Sequence, residues 1–282
     1  MAMTINTNVN SLTAQRNAAT NQSSLSTSIA RLSSGLRVNS AKDDAAGLAI
    51  ATRMDAQARG MTVAIRNAND GVSMLQTAES GMQTVSDMLQ RMRELAVQAT
   101  NSTNTSSDVA SLNQEYTQLA SEIGRTISAV QFNGTSVLTT TAGFDFQVGA
   151  NSGQTITIAS GTLNLDQSSN VSAVVGGATS ALTTAAGSNS SNAANIDAID
   201  KALQTINDSR AQLGAAQSRF QNTVNFLQSA VENQTAAKGR IMDADFASET
   251  ANLSRAQILQ QAGTAMIAQA NQLPQGVLSL LR

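Results

Sequence analysis

Apolar residues recur at alternating gaps of three and four along both ends of this 282-residue chain, and that spacing constrains its fold more than any other feature. In the C-terminal half the series runs Ile196, Ile199, Leu203, Ile206, Arg210, Leu213, Gln217, Phe220, Val224, Leu227, Val231, Gln234, Lys238, Ile241 without a slip. The N-terminal half answers with Met61, Ile65, Ala68, Val72, Leu75, Ala78, Met82, Val85, Leu89, Met92, Ala96, with one irregular step at Ala78. A heptad sustained that long predicts coiled-coil packing of the two halves. If helical throughout, 196–241 would span roughly 69 Å at 1.5 Å per residue, longer than a compact globule of this size needs. The expected fold is mainly α: a long coiled-coil helical rod formed by the N- and C-terminal segments, with a small β-hairpin region in the middle. Met61, Ile65, Val72, Leu75, Leu203, Ile206, Leu213, Phe220, Val224 and Leu227 form its seam. The polar members Arg210, Gln217, Gln234 and Lys238 either fix register at a cost in stability or tolerate partial exposure at the seam's edge.

Composition narrows the chemistry. Aromatics make up 2% of the chain with no Trp, so the interior must be thin and aliphatic, and the single proline, Pro274, leaves long helices uninterrupted. Charged residues are 13% with a net of −2, which does not suggest a nucleic-acid surface. There is no cysteine and no histidine, which excludes thiol chemistry, a Ser-His pair, a zinc-protease motif and the usual general base. No enzyme activity, cofactor or metal site is therefore expected. Asp43-Asp44 and Asp243/Asp245 read as helix caps and as partners of Lys42 or Arg240 in preference to cation ligands. Met1 to Asn10 are polar and uncharged, so no general secretory signal is expected. No stretch approaches the roughly 20 apolar residues of a membrane span, which leaves a cytosolic protein or one exported by a signal-independent route.

Local signals order the elements. A weak helix carries Ile5, Val9, Leu12, Leu25, Ile29, Leu32 and Leu36, breaks at Gly35 and Asn39-Ser40, and needs partners because its propensity is low. The long helix starts near Lys42 to Ala46, with Asp43 and Asp44 in its first turn. Residues 100–107 form a loop before a further helix through Val109, Leu112, Tyr116, Leu119, Ile123, Ile127 and Val130. Asn133-Gly134 is a turn, and Phe144, Phe146, Val148 with Ile156, Ile158 make a hairpin joined by residues 149–153. Residues 160–194, small and hydroxyl-rich, read as a loop or minimal outer elaboration. The seam helix runs to about Ala237, where Lys238-Gly239-Arg240 interrupts it. The last helix bears Leu253, Ile258, Leu259, Ala262, Met266, Ala270, Leu273, Val277, Leu280 and Leu281, with a wide apolar surface and an uncharged Gln/Asn face. Such a helix is marginal alone and should be buried between neighbours.

The sequence strings resemble bacterial flagellin. INTNVNSL at 5–12, AQRN at 14–17, LSSGLRVNSAKDDAAGLAI at 32–50, NDG at 69–71, QTAE at 76–79 and LQRMRELAVQ at 89–98 carry the N-terminal likeness. QFNG at 131–134 and FQVGAN at 146–151 extend it, and DADF at 243–246, QILQQAG at 257–263 and AQANQLPQGVLSLL at 268–281 close it. Tyr116 and Gly239 depart from the family pattern, which has an aliphatic residue and a serine there, and the middle is short for the family.

The resemblance implies a subunit of the extracellular bacterial flagellar filament, exported unfolded by the flagellar type III apparatus and without a cleaved signal peptide. It implies a terminal coiled-coil core domain at 1–34 and 249–282, connecting segments at 35–46 and 242–248, a helical rod domain with its hairpin at 47–180 and 190–241, and a short variable segment at 160–194. Filament-core packing would fall on Ile5, Val9, Leu12, Leu25, Ile29, Leu32, Leu259, Met266, Leu273, Val277, Leu280 and Leu281. Implied partners are other copies of the chain, the cap and hook-filament junction proteins, and an export chaperone on the C-terminal helices. A host flagellin receptor of the Toll-like class would recognise Arg91, Leu95 and Glu115; packing between neighbouring subunits is the favoured reason for these residues, with recognition expected as a consequence. Asn-x-Ser/Thr triplets at Asn101, Asn104, Asn133, Asn170, Asn189, Asn207 and Asn233 are expected by chance in so polar a chain, and O-glycosylation within 160–194 fits the family better. The alternatives are a hook-filament junction protein or a secreted coiled-coil adhesin with specificity in residues 135–195.

Overall fold

The structure, a computed structural model, describes residues 7–166, 169–176, 181–183 and 189–279, with side chains for all of these except 160, 169, 189–191 and 273–279. Its helices are α1 (Val9–Ser34), α2 (Ala45–Ala99), α3 (Ser106–Ala129), α4 (Ser160–Leu163), α5 (Ser169–Gly176), α6 (Asn189–Met242) and α7 (Phe246–Ser279). Strands β1 (Gln131–Phe132) and β2 (Thr135–Ser136) pair with each other, as do β3 (Phe144–Gln147) and β4 (Thr155–Ile158), both antiparallel. The fold is mainly α, with long helices and small strand pairs, as the heptads required. Two compact units divide the chain: Met1–Ala56 with Glu232–Arg282, and Gln57–Val231.

Helix ends follow from local chemistry. Asn8 caps α1 by accepting from Ser11 N, and Gly35, at φ +71°, closes it in the left-handed conformation that a side chain disfavours. Asp44 accepts from Gly47 N at 2.7 Å and so precedes α2, outside its first turn. Thr105 and Asp108 form a reciprocal capping box on α3. Hydrogen bonds from Thr105 hold the Asp108 carboxyl below its usual range, and those from Ser40 do the same for Asp43. Both contacts are therefore fully present above the ordinary carboxylate pKa and are lost as pH falls through the lowered values.

Within Gln57–Val231, α2 and α6 run antiparallel. Arg93 meets Asp200 at 2.7 Å, Gln217 donates to Glu79 at 3.0 Å, and Phe220 lies beside Gly71. Leu75, Ile206, Leu213, Phe220, Val224 and Leu227 are buried, while Met61, Ile65, Val72 and Leu203 are half-buried. Met74 and Leu95, off the seam, are buried as well. Their burial has a cause: residues 100–105 turn the chain back, and α3 adds Tyr116, Ile123 and Ile127 to the same core, so α2 must present a broader face than a two-helix seam. Burial pushes the Tyr116 phenol up to about 12. Glu79 receives both Gln217 at 3.0 Å and Arg210 at 3.9 Å, which gives those polar seam positions specific partners.

The strands close this core. Asn133 (φ +48°) and Gly134 (φ +77°) make the two-residue turn between β1 and β2. On β3 and β4, Phe144 faces Ile158 and Phe146 faces Ile156, and the Phe146 ring meets Phe220 edge-on at 5.4 Å between centroids.

Two local expectations change. Residues 160–194 are not an open loop where described: α4 and α5 form, and Leu163, Leu165, Val171, Val174 and Leu182 are buried. Widely spaced aliphatics anchor a segment whose small residues hid them, and buried amides satisfy its backbone. Asn113 accepts from Leu182 N at 2.7 Å, and Asn195 donates to Ala181 O at 3.0 Å. The seam helix also continues through Lys238-Gly239-Arg240 to Met242. Lys238 is held by Asp55 at 2.5 Å, and a side chain at Gly239 would come within 2.8 Å of the Asp243 carboxylate, so glycine's weaker propensity is tolerated there.

Truncating Phe220, fully buried under Phe146, should cost about 3–5 kcal/mol in Phe220→Ala by denaturant unfolding. At Gly81 an added Cβ would lie 2.6 Å from Val130 Cγ2. The helix-propensity gain of about 1 kcal/mol is smaller than an overpacking cost of about 1–3 kcal/mol against a stiff β-branched neighbour. Gly81→Ala should therefore lower the unfolding midpoint.

Candidate functional site

The unit Met1–Ala56 with Glu232–Arg282 contains the antiparallel pair α1 and α7. Asn8 Nδ2 donates to Ala270 O at 2.7 Å, Ser11 Oγ to Asn271 Oδ1 at 2.7 Å, and Asn21 Nδ2 to Ala256 O at 2.8 Å. Gln260 Nε2 donates to Gln22 Oε1 at 2.8 Å, and Arg31 approaches Glu249 at 3.9 Å. Where the helices meet, the buried side chains among the described residues are small or polar: Ser11, Ser28, Ala256 and Ala270, with Glu249 and one large aliphatic, Leu25. Gly263 stands opposite Ala18, with its Cβ position in ordinary contact at 3.8 Å. Side-chain amides thus reach the partner helix's carbonyls, which small residues bring within range.

This seam leaves the large apolar side chains outside. Val9 is 61% exposed, Ile258 67% and Met266 63%, and Leu12, Ile29, Phe246 and Leu259 are also exposed. Leu32 is half-buried. Ile5, Leu280 and Leu281 lie outside the described residues, as do the side chains of Leu273 and Val277. One buried leucine is worth about 1.5–3 kcal/mol, too little to hold helices of 26 and 34 residues when most helical stability comes from burying an apolar face. Exposed apolar surface of this extent marks an interaction site.

The connecting segments clasp each other. Leu36 bridges Asp243, Arg37 N donates to Met242 O at 2.6 Å, and Ala244 N donates to Gly35 O at 3.0 Å. Arg37 also donates to Ile241 O at 2.6 Å and stands 3.8 Å from Asp44. The acidic pairs act as caps: Asp43 accepts from Asn39 N and from Ser40 N and Oγ, and Asp245 accepts from Ala247 N at 3.0 Å. No group of three or more metal-ligating side chains occurs among the described residues.

In the unit Gln57–Val231, Arg91 Nε donates to Glu115 Oε1 at 2.8 Å and Arg91 also holds Glu94 at 2.9 Å. These bonds, Glu115 first, raise the Arg91 pKa. Arg91 and Glu115 are exposed, whereas Leu95 is only 1% exposed and packs inward. Helix periodicity places residues 91 and 95 on neighbouring turns but does not reveal that α3 covers the second, so sequence reasoning missed its burial.

Residues 5–142 match the model of the bacterial flagellin N-terminal helical region and residues 196–281 that of the bacterial flagellin C-terminal helical region. The chain belongs to the bacterial flagellin family. A flagellin of Halalkalibacterium halodurans is 45% identical over 281 residues, covering 99% of this chain and all of that protein. A flagellin of Xenorhabdus nematophila is 45% identical over 315 aligned positions, covering both chains completely. The crystal structure of Bacillus cereus flagellin is similar at 33% identity, with a TM-score of 0.48 over 61% of this chain and 94% of that one. Flagellins are structural proteins and not enzymes, and this flagellin is a structural subunit of the flagellar filament. Among the described residues no helix is long and apolar enough to cross a membrane.

Exposed ion pairs contribute little to stability. Arg91→Ala and Glu115→Ala, singly and together, should leave the denaturant midpoint close to that of the parent protein, and a large drop in either would assign the pair a folding role.

Proposed function

We propose that this flagellin assembles into an extracellular filament by burying the outward apolar faces of α1 and α7 against other copies of itself. The observation that carries this reading is the inversion of the terminal pair, small and polar inside with Val9, Leu12, Ile29, Ile258, Leu259 and Met266 outside. Surrounding a helix pair with identical neighbours removes that surface from water without any new kind of contact. The sequence-implied core positions Ile5, Leu25, Leu32, Leu273, Val277, Leu280 and Leu281 belong to the same proposed packing. Export as an unfolded chain by the flagellar type III apparatus suits terminal helices that gain little from pairing before assembly. A chaperone covering the C-terminal helices, and cap and hook-filament junction proteins at the filament's ends, complete the proposed set of partners.

Leu259→Asp with Met266→Asp places two charges on this surface and touches none of the hydrogen bonds described between α1 and α7. The double variant should keep its circular dichroism spectrum yet form no sedimenting filaments, as judged by electron microscopy after seeding. Filaments at wild-type yield would refute the assembly surface.

A second reading concerns Arg91 and Glu115. We propose that this exposed pair, supported from beneath by Leu95, is recognised by the vertebrate Toll-like receptor for flagellin. Arg91→Ala should sharply reduce receptor activation by the monomer, and unchanged signalling would remove the idea.

A further inference from the structure

Asn133-Gly134 is the single Asn-Gly dipeptide in the 282 residues, and it forms the two-residue turn between β1 and β2. Both residues are exposed, with φ of +48° and +77°. Nothing lies within 4 Å of the position a Gly134 side chain would take. Among the described residues, neither the Asn133 side chain nor the Gly134 N–H makes a hydrogen bond. The turn is closed by two residue pairs, Gln131 with Ser136 and Phe132 with Thr135, and by one further bond from Val137 N to Val130 O, a ladder short enough to open locally at little cost. An unhindered backbone nitrogen and an unheld carboxamide therefore stand next to each other on a turn free to rearrange.

We propose that Asn133 is a site of spontaneous deamidation, which acts as an ageing mark on this protein. The Gly134 amide nitrogen loses its proton and attacks Asn133 Cγ. The new N–Cγ bond forms as the Cγ–Nδ2 bond breaks, and ammonia leaves carrying that proton. Water then opens the resulting succinimide. Opening at Cγ gives aspartate in the normal chain, while opening at the main-chain carbonyl gives isoaspartate, with the backbone running through Cβ. No oxidant or metal takes part. Glycine matters because any Cβ at 134 would obstruct the attacking nitrogen. Other asparagines lack one or more of these conditions: Asn113, Asn192 and Asn195 are tied by hydrogen bonds, and those within α1, α2, α6 and α7 have their following N–H groups committed to the helix.

The product changes structure as well as charge. Isoaspartate adds one backbone atom to a two-residue turn whose register depends on its length. Directly beyond that turn Val137 N donates to Val130 O at 3.1 Å, and Val137 and Leu138 are buried in the core. Loosening there would propagate into the packing of Val130 on Gly81.

The full-length protein, folded and held in mildly alkaline buffer, tests this by peptide mapping with mass spectrometry and by enzymatic methylation of isoaspartate. The proposal expects the mass gain of an amide becoming a carboxyl to appear at Asn133 ahead of every other asparagine. Methylatable isoaspartate should accumulate in parallel and be lost in Asn133→Gln. Modification of Asn133 in denaturant but not in the folded protein would overturn the proposal, because the turn would then be protecting the residue. So would isoaspartate concentrated at another asparagine. The measurement on the parent protein stands whether or not the variant folds.

Discussion

Leucine, isoleucine, valine and methionine side chains spaced three and four apart on two chain segments more than 100 residues apart can leave water together only if those segments lie antiparallel, and much else in this flagellin depends on that pairing. With α2 against α6, Arg93 meets Asp200 and Glu79 collects Gln217 and Arg210. The same pairing brings Phe220 onto α2 at Gly71, where the β3–β4 hairpin seals it with Phe146. Because the interior is largely aliphatic, register rests on few specific contacts beyond the Phe220–Phe146 pair. It comes from such polar pairs and from glycines at points of close approach, among which Gly71 and Gly81 would each bring a Cβ within 3.0 Å of a neighbour.

The terminal pair obeys a different rule. Apart from Leu25 and Glu249, its described inner surface is small or polar, and its cohesion comes from amides reaching carbonyls across the contact. Hydrogen bonds of this kind contribute about 0.5–1.5 kcal/mol each, so they specify alignment more than they supply stability. The pair's large apolar side chains face outward. In the proposed assembly such a subunit keeps one well-packed unit with its own core, and copies of itself would supply the burial of the second.

Much of this was legible in residues. Heptad spacing pointed to the partnership seen between 71–93 and 200–220, Asn133-Gly134 announced its turn, and the alternation at Phe144–Val148 and Ile156–Ile158 its hairpin. What stayed hidden depended on tertiary context. Leu95 is buried because α3 folds back over α2, a fact that no local period encodes. Helices α4 and α5 form because Leu163, Val171 and Val174, with Leu165 between them, find a core, and their serine- and glycine-rich surroundings masked that. Lys238-Gly239-Arg240 looked like a helix end but stays helical through the Lys238–Asp55 pair. At the proposed assembly surface, the apolar positions were readable in sequence, whereas their outward orientation depends on α1 and α7 meeting through Ser11, Ser28, Ala256 and Ala270.

Amide hydrogen exchange compared between monomer and filament tests most directly the claim that the terminal helices complete their burial only in the polymer. Amides of α1 and α7 should exchange rapidly in the monomer and become strongly protected in the filament, while those of α2 around Leu75 to Met92 should be protected in both states. Equal protection of α1 and α7 in monomer and filament would contradict the account.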